Sequence, residues 1–200
     1  MGKLGECILC DREEVRDFIE KHHYSKSING LKTSYCFKLV LNDKIIGAII
    51  YGYLGMAKVW KKYVDHERDL IELRRLCCID ETKKNTESYF ISKTIKWLKN
   101  NTKIKMIISY ADPEYNHVGI VYQACKFTFV GITSKSRYIL YDGKKYHDKT
   151  IRTKYNGKLK PYAQKIKNAL DSGKATYKNT DGKYVYIYEL RNTRLRRDNG

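Results

Sequence analysis

Two apolar segments decide the fold: residues 72–79, ELRRLCCI, and residues 104–108, IKMII. Both have the length and apolar density of mostly buried strands, although the first carries two arginines. Between them, Asn85 is a candidate N-cap, and apolar residues follow at helical spacing from Ile91 until the pattern ends near Lys99. This stretch therefore predicts a strand, a helix and a second strand.

Polar residues follow directly after the second strand. Ser109 and Asp112 come at its carboxyl end, which is the edge where ligands bind in open α/β sheets. Asp112 precedes Pro113, and the residue before a proline is pushed out of the helical region, so the chain turns here. Residues 118–124 predict the next helix, which carries Tyr122.

The flanking segments add further elements. An acidic start at Asp11, followed by apolar residues at helical spacing, predicts a first helix that ends at His22. Residues 56–69 are charged and irregular. The other predicted bounds are 35–41 and 45–53 for a hairpin, 127–131 and 137–141 for two closing antiparallel strands, 161–170 for a helix and 184–190 for a final strand.

Four short motifs carry a resemblance to a known family. They are ELRR at residues 72–75, NTES at 85–88, SYAD at 109–112 and GIVYQA at 119–124. In this order, on a strand, a helix start, a strand end and a helix, they resemble the Mom family of bacteriophage DNA-modification enzymes, which are relatives of the GNAT acyltransferases. The segment HYS at residues 23–25 is a weaker match.

The order of predicted elements leads to the same fold without the motifs. Helix, hairpin, strand, helix, strand, helix and strand pair is the order of the GNAT fold. We therefore expect an α+β protein with a GNAT-like three-layer α/β/α arrangement, a mixed, mostly antiparallel central sheet and a basic C-terminal extension. Residues 1–143 form the expected catalytic core, and residues 144–200 form the extension, packed on the same domain.

The resemblance implies a transferase that adds a small acyl-derived group to the N6 amine of adenine in double-stranded DNA, with acetyl-CoA as donor, and so protects the DNA from restriction. Adenine N6 is a poor nucleophile, so attack needs a proton acceptor, stabilisation of negative charge and a proton donor for the leaving thiolate. The expected catalytic residues are Asp112, Arg75, Tyr122 and Ser88, the expected base contacts are His23, Tyr24 and Ser109, and the expected donor contacts are Lys84, Asn85 and Ser88.

Three of the four catalytic candidates have an expected role and a structural alternative. Asp112 accepts the amine proton or fixes the amine, Arg75 stabilises negative charge or orients Asp112, and Tyr122 protonates the thiolate. Alternatively, Asp112 only caps the following turn and Tyr122 is a core residue. The alternative for Arg75 is an ion pair with Glu72 or Glu87.

The helix that begins near Asn85 is the expected site for the CoA pyrophosphate. Helix N-termini present unpaired N–H groups and the positive end of the helix dipole. Related acyltransferases use a glycine-rich loop at this point, whereas no glycine occurs here between Gly55 and Gly119. The local amides, Lys84 and the Ser88 hydroxyl are the groups expected to hold phosphate instead.

The chain is strongly basic, with 40 Lys and Arg against 22 Asp and Glu and a formal charge of +18. Such a field attracts polyanions, so nucleic acid is the leading partner, and a solvated basic surface is the alternative. Residues 144–200 hold 16 of these cations against 5 acids, and the tail from Arg191 is expected to order only on a polyanion. The cations expected on the DNA backbone, interleaved with tyrosines that stack on bases, are Lys149, Arg152, Lys154, Lys158 and Lys160.

The six cysteines do not resemble a secreted disulfide framework. Cys7 and Cys10 have metal spacing but lack a second cysteine pair. His22 and His23 are the alternative source of two further ligands, and we expect no metal site. A metal requirement involving His23, His117 or Asp112 stays open. No apolar run is long enough to cross a membrane, and we expect the protein in the cytoplasm of the infected bacterium. The cysteines expected to be reduced core thiols are Cys36, Cys77, Cys78 and Cys125.

These observations favour a phage DNA-modification transferase. Two alternatives stay open: a GNAT N-acetyltransferase that acts on a protein or a small amine, and a non-catalytic nucleic-acid-binding protein on a GNAT scaffold. The first leaves the basic C-terminal segment without a use. The second predicts that Asp112→Ala leaves the biological effect intact.

Overall fold

The computed structural model describes residues 4–191, so the tail expected to follow Arg191 lies outside the described residues. Within this range the helices are α1 (Arg16–His22), α2 (Thr86–Asn101), α3 (Ile120–Ala124) and α4 (Pro161–Asp171). The strands are β1 (Glu6–Cys10), β2 (Thr33–Leu41), β3 (Lys44–Gly52), β4 (Leu70–Cys78), β5 (Met106–Ala111), β6 (Thr128–Ile132), β7 (Ser136–Tyr141), β8 (Lys144–His147), β9 (Thr176–Thr180) and β10 (Tyr184–Glu189).

The chain divides into two units. The first contains residues 4–111, 117–131 and 184–191, and the second contains residues 112–116 and 132–183. Much of the segment expected as an extension, residues 144–183, belongs to the second unit, whereas β10 belongs to the first.

The four helices occur where the sequence predicts them, and local signals explain their ends. Glu14 Oε1 accepts a hydrogen bond from the backbone N–H of Asp11 at 2.8 Å, which is one half of a capping box. Pro161 stands in the first turn of α4, where its missing N–H is harmless. The expected side-chain cap by Asn85 is wrong: Asn85 precedes α2, but its φ of 70° is left-handed and its side chain makes no cap hydrogen bond. A capping side chain needs an extended backbone to reach the first-turn N–H groups.

The first unit is built on a seven-stranded sheet with the order β1-β2-β3-β4-β5-β10-β6. Neighbours from β1 to β4 run antiparallel, and β10 runs antiparallel to β5. Only the β4–β5 pair is shown to be parallel. A parallel pair needs a crossover connection, which α2 supplies. The mixed, mostly antiparallel sheet predicted from the sequence is thus confirmed.

Both faces of this sheet are covered. On one face, Phe90 and Leu98 of α2 are fully buried in a cluster that includes Ile107 of β5. On the other face, Ile19 of α1 and Ile28 pack over β2 and β3. The segment before β4 covers the rest of that face, over β4, β5 and β10. The result is the expected three-layer arrangement.

The two closing strands do not pair with each other, which corrects the prediction. β6 lies at the edge of the large sheet beside β10, and β7 pairs with β8 and β9 in a separate sheet. β10 takes its inner position because both its faces are apolar: Val185 and Ile187 are buried on one side and Tyr186 on the other. β1 has no counterpart among the predicted elements because its five residues show no periodicity.

The second unit has a three-stranded antiparallel sheet in the order β8-β7-β9, with α4 on one face. Ile139 of β7 is fully buried and packs with Ile166 of α4. Asp148, also buried, pairs with Arg152 at 2.7 Å and with Arg137 at 3.5 Å. The hydrophobic core of this unit is small, and the buried carboxylate beside it is paired with arginines whose side chains are largely exposed.

Candidate active site

β4 and β5 pair over only part of their length. The parallel ladder joins residues 70–73 to residues 106–109 and stops there, although β4 continues to Cys78 and β5 to Ala111. At the last paired position, Ser109 Oγ donates to the carbonyl of Leu73 at 3.4 Å. The strands therefore separate beyond Leu73 and Ser109, which opens a gap within the sheet.

Tyr122 reaches this gap from α3. Its ring is buried, with centroids 5.5 Å from Phe127 and 5.4 Å from Tyr186, and its hydroxyl is hydrogen-bonded to the Ser109 side chain. Burial raises the pKa of Tyr122 to about 12, and the hydrogen bond with Ser109 offsets only part of that effect. The phenol therefore keeps its proton at neutral pH and can donate it.

Contacts with β10 hold α3 in place. The Tyr186 hydroxyl donates to the carbonyl of Val118 at 2.7 Å and accepts from the side-chain amide of Gln123 at 3.0 Å. Gly119 has a φ of 83° and lies so close to the Tyr186 ring that a Cβ atom would collide with it. A glycine is needed here for the backbone conformation and for the close approach. The position of Tyr122 thus depends on Tyr186.

A β-bulge in β4 decides which way Arg75 points. The register with β3 jumps from Leu73 to Arg75, so Arg74 is an extra residue. The extra residue shifts the alternation of β4 and turns Arg75 toward the segment that follows α1. There Nε and Nη2 of Arg75 donate to the carbonyl of Ser27 at 3.3 and 3.2 Å, and Nη1 donates to the carbonyl of Arg74 at 2.8 Å.

Arg75 does not form the ion pair considered from the sequence. Glu72 instead pairs with Arg74 at 3.1 Å and accepts from the backbone N–H of Gly55 at 2.7 Å. Across residues 4–191, no carboxylate lies within ion-pair distance of Arg75. Burial lowers the pKa of Arg75, but an arginine stays charged in proteins. Among the described residues, the Arg75 guanidinium is therefore hydrogen-bonded to backbone carbonyl groups rather than paired with a carboxylate.

His23, Tyr24 and His117 form an aromatic group in the same unit. The His23 ring is buried, its centroid lies 4.2 Å from that of Tyr24, and Tyr24 meets His117 edge-on at 5.2 Å. The backbone N–H of Ser25 donates to Nδ1 of His23 at 3.0 Å. Burial, followed by the charge of Arg75, lowers the pKa of His23 to about 3. His23 is therefore neutral at physiological pH.

Tyr24 connects this aromatic group with the gap. Burial has the largest influence on the pKa values of Arg75 and Tyr122. A charge on Tyr24 has a smaller influence and would raise both pKa values. Such an effect places the three side chains within the range of electrostatic interaction, which is about 10 Å. The structure therefore brings together five residues singled out from the sequence: His23, Tyr24, Arg75, Ser109 and Tyr122.

A cavity of about 410 Å³ lies at the start of α2 and is also lined by α3. Lys83 and Lys84 at its edge are exposed, and Ser88 Oγ donates to the carbonyl of Asn85 at 3.0 Å. Asparagine enters the left-handed region more readily than other residues except glycine, so Asn85 supplies a turn of the kind that glycine supplies elsewhere. First-turn N–H groups of α2 lack intrahelical partners. This combination suits a phosphate group.

Glu87 lines the same cavity and was not singled out from the sequence. Burial of its carboxylate raises the pKa of Glu87, and His117 lowers it in part, although the residue as a whole is exposed. A charge on Glu87 would in turn raise the pKa of Tyr122, so the two side chains interact electrostatically. An acidic residue in the first turn of a helix usually interacts with the helix dipole. No sequence signal distinguishes such a residue from one that takes part in the chemistry of a site.

Asp112 and the cations expected to contact DNA lie in the second unit. Asp112 is buried, its Oδ1 accepts from the backbone N–H of Glu114 at 3.2 Å, and its Oδ2 pairs with Lys183 at 2.8 Å. The carboxylate thus caps the turn that follows it. The exposed cations on this unit include Lys149, Arg152, Lys154, Lys158 and Lys160.

Within residues 4–191, no group of three or more His, Cys, Asp or Glu side chains is arranged to hold a metal ion. Cys7 and Cys10 lie three positions apart on β1 and face opposite sides of the sheet. Burial raises the pKa of Cys7 to about 11 and of Cys10 to about 12.

Residues 4–191 contain no helix with the length and apolar character needed to cross a membrane. The expected core thiols are free, with Cys36, Cys77 and Cys125 buried and Cys78 partly buried.

Solved structures resemble this fold. An acetyltransferase of Bacillus subtilis in complex with CoA has a TM-score of 0.54 at 14% identity and covers 92% of this chain and 98% of its own. The ribosomal-protein-S18-alanine N-acetyltransferase of Escherichia coli has a TM-score of 0.52 at 8% identity and covers 94% and 96%. At these identities the likeness shows the fold alone, and it confirms the GNAT-like prediction.

Sequence comparison identifies the family. A curated relative, the methylcarbamoylase Mom of Escherichia phage Mu, is 29% identical over 141 residues, which are 68% of this chain and 57% of that protein. This chain thus spans little more than half the length of that relative. The Mom protein family matches residues 7–198. Since this match covers nearly the whole sequence, the chain belongs to the Mom protein family.

Proposed function

We propose that this chain is a DNA-modification transferase that moves a small acyl-derived group from an acyl-CoA donor to the N6 amine of adenine in double-stranded DNA. The observation that carries the proposal is the gap between β4 and β5, with the protonated Tyr122 at the gap and a basic helix start in the same unit. The resemblance to phage DNA-modification enzymes and the basic second unit support DNA as the acceptor. The relative's name, methylcarbamoylase, supports a methylcarbamoyl group as the group transferred, in which case the thioester donor itself would carry the carbamoyl nitrogen.

The residues at the start of α2 fit the phosphates of CoA. Lys83, Lys84 and the Ser88 hydroxyl, together with first-turn N–H groups, would hold a phosphate at the positive end of the helix dipole. A fold relative in complex with CoA supports this donor class. When bound, acyl-CoA would supply an acyl group activated as a thioester, and CoA would leave as the thiolate.

Proton transfers are assigned to residues around the gap. Tyr122 would supply a proton to the leaving thiolate, because its phenol stays protonated and Ser109 holds its hydroxyl. Two carboxylates are proposed to accept the amine proton. Glu87 has a raised pKa and interacts electrostatically with Tyr122, whereas Asp112 would have to act while paired with Lys183.

The base and the developing charge would be held by the aromatic group and Arg75. The partly exposed ring of Tyr24 would stack on adenine, and the buried ring of His23, packed against it, would orient Tyr24. Arg75, which has no carboxylate partner among the described residues, would stabilise negative charge on the acyl oxygen. The modified DNA would resist restriction, and the reaction would take place in the cytoplasm of the infected bacterium.

Nucleoside mass spectrometry of DNA from bacteria that express the protein tests this proposal. We expect a new deoxyadenosine derivative with the wild type, whose mass identifies the transferred group, and its loss in Arg75→Gln. Arg68→Gln changes an exposed arginine before β4 and is the matched control. Unmodified DNA in cells that hold the folded wild-type protein would overturn the proposal. Acetylation of a protein or small amine by the purified chain would then favour an ordinary N-acetyltransferase.

A further inference from the structure

A two-residue hairpin turn in the second unit carries an exposed tyrosine. The backbone N–H of Tyr155 donates to the carbonyl of Lys158 at 2.7 Å, and that of Lys158 donates back to Tyr155 at 3.0 Å. Asn156 and Gly157 between them have φ angles of 49° and 77°. Positive φ at both central residues defines a type I′ turn, the tightest kind of hairpin connection. The turn is therefore a defined structure that fixes the backbone of Tyr155.

The Tyr155 side chain has no part in the core of its unit. The residue is 55% exposed, and Tyr162, in the first turn of α4, is 56% exposed. That core is made by Ile139 of β7, by Ile166 and Ala169 of α4, and by Ala175. Lys160 Nζ lies 4.3 Å from the centroid of the Tyr155 ring, a cation–π distance. An aromatic ring held in place but left in solvent is suited to contact a ligand.

All charged residues in the sequence around the turn are basic. Residues 149–170 contain seven Lys and Arg and no Asp or Glu. Arg152 is paired with Asp148 at 2.7 Å, whereas in the described part of the chain no carboxylate lies within ion-pair distance of Lys154, Lys158 or Lys160. Phosphate groups of nucleic acid complement such a cluster, and an aromatic ring within it can stack on a base.

We propose that residues 154–160 form a base-stacking element for duplex DNA at a position where a base has left the helical stack. Tyr155 stacks on the bases exposed there, and Lys154, Lys158 and Lys160 contact the flanking phosphates. Phosphate contacts alone would need no exposed ring, and a ring finds no stacking surface inside an intact duplex. Chemistry on a base within a protein site requires that base to leave the stack. The proposal rests on the proposed function, because it takes DNA as the substrate.

DNA binding by the full chain without an acyl donor tests the proposal. The probes are two duplexes that differ at one position, one fully paired and one with an abasic site opposite adenine, each measured by fluorescence anisotropy over a range of salt concentrations. We expect the wild type to prefer the abasic duplex. Tyr155→Ala should lose about 5- to 150-fold in affinity for it, the range that stacking of one base gives, while Tyr155→Phe keeps the preference.

A lysine variant separates stacking from charge. Lys158→Gln should weaken binding to both duplexes equally and reduce the slope of log K against log salt by about 0.9. Tyr155→Ala should leave that slope unchanged. Lys96→Gln, an exposed lysine of α2, is the matched charge control. Because Tyr155 is exposed, its variants should keep the thermal unfolding midpoint of the wild type.

The outcomes distinguish this inference from the proposed function. If Tyr155→Ala binds the abasic duplex as tightly as Tyr155→Phe, the stacking element is overturned, even where cells still contain modified adenine. If the wild type shows no preference for the abasic duplex, it is overturned as well. If binding follows the expected pattern but the DNA of expressing cells is unmodified, the element stands and the proposed function falls.

Discussion

The backbone N–H of Ser25 donates a hydrogen bond to Nδ1 of His23 at 3.0 Å. Because Nδ1 is the acceptor, the neutral ring carries its proton on Nε2. Burial and the neighbouring charge of Arg75 lower the pKa of His23 to about 3. A neutral imidazole beside an arginine cation therefore characterises this part of the site, and it has measurable consequences for stability.

Stability should depend on pH through His23. Its pKa is about 3 in the folded chain against 6.5 as the ordinary value, so the unfolded chain binds the additional proton in this window. The contribution of His23 is complete above the unfolded pKa and is lost as pH falls toward the folded one. The loss is at most about 1.4 kcal/mol per pH unit.

Urea unfolding of the wild type and of His23→Asn measures this effect. The side-chain carbonyl of the substituted asparagine can accept from the Ser25 N–H, but the amide does not titrate. Between about pH 6.5 and pH 5 the wild type should lose up to about 2 kcal/mol more than the variant. Glu72 and Glu87, whose pKa values are raised by burial, oppose this trend but do so in both proteins. If the free energies of unfolding of the wild type and of His23→Asn changed in parallel with pH, His23 would not be held neutral in the folded chain.

Removing the hydroxyl group of Tyr122 should abolish most of the DNA-modification activity without unfolding the chain. Tyr122→Phe keeps the ring contacts with Phe127 and Tyr186 but loses the proton held near Ser109. We expect the single-turnover rate of DNA modification to fall by about 10²- to 10⁴-fold. Tyr89→Phe is the control, because that hydroxyl donates to the carbonyl of Gly5 outside the gap. Equal rates for the two variants would remove Tyr122 from the mechanism.

Glu87→Gln distinguishes the two carboxylates proposed as proton acceptors. The pKa of Glu87 is raised by burial, so the wild-type rate should rise with pH through that raised value as the carboxylate ionises. The variant should lack this limb and be slower by about 10²-fold or more. Glu81→Gln, an exposed acid in the loop before α2, is the control. If the rate of Glu87→Gln still rose with pH over the same range, Asp112 would be the favoured proton acceptor instead.

Substitutions at Asn85 test the left-handed turn before α2. Asn85→Val should lower the free energy of unfolding by about 1–2 kcal/mol, because a β-branched residue is strained at a φ of 70°. Asn85→Gly should be nearly neutral and should keep the affinity for CoA, since the backbone N–H groups are retained. Urea unfolding and calorimetric titration with CoA measure both effects. A Val variant as stable as the Gly variant would show that this conformation is not required.

Local patterns were sufficient to predict the helices and most strands. The spacing of Ile91, Ile95 and Leu98 marks the buried face of α2, and the apolar run before Ser109 marks β5. These are properties of neighbouring residues, so no knowledge of the remote chain is needed. The position of β10 between β5 and β6 could not be predicted in this way, because it depends on pairing across more than 70 residues.

The sequence by itself determined the order of the four helices and of seven of the ten described strands, the basic character of the C-terminal segment and the motifs that identify the family. Only the tertiary structure decided how the site is assembled. The extra residue Arg74 reverses the direction of Arg75, and Gly119 against Tyr186 sets the position of Tyr122. Glu87 acquires its raised pKa from surroundings that come from separate parts of the chain. Side-chain direction, burial and electrostatic coupling arise from contacts between distant segments, so they become defined only when the chain is folded.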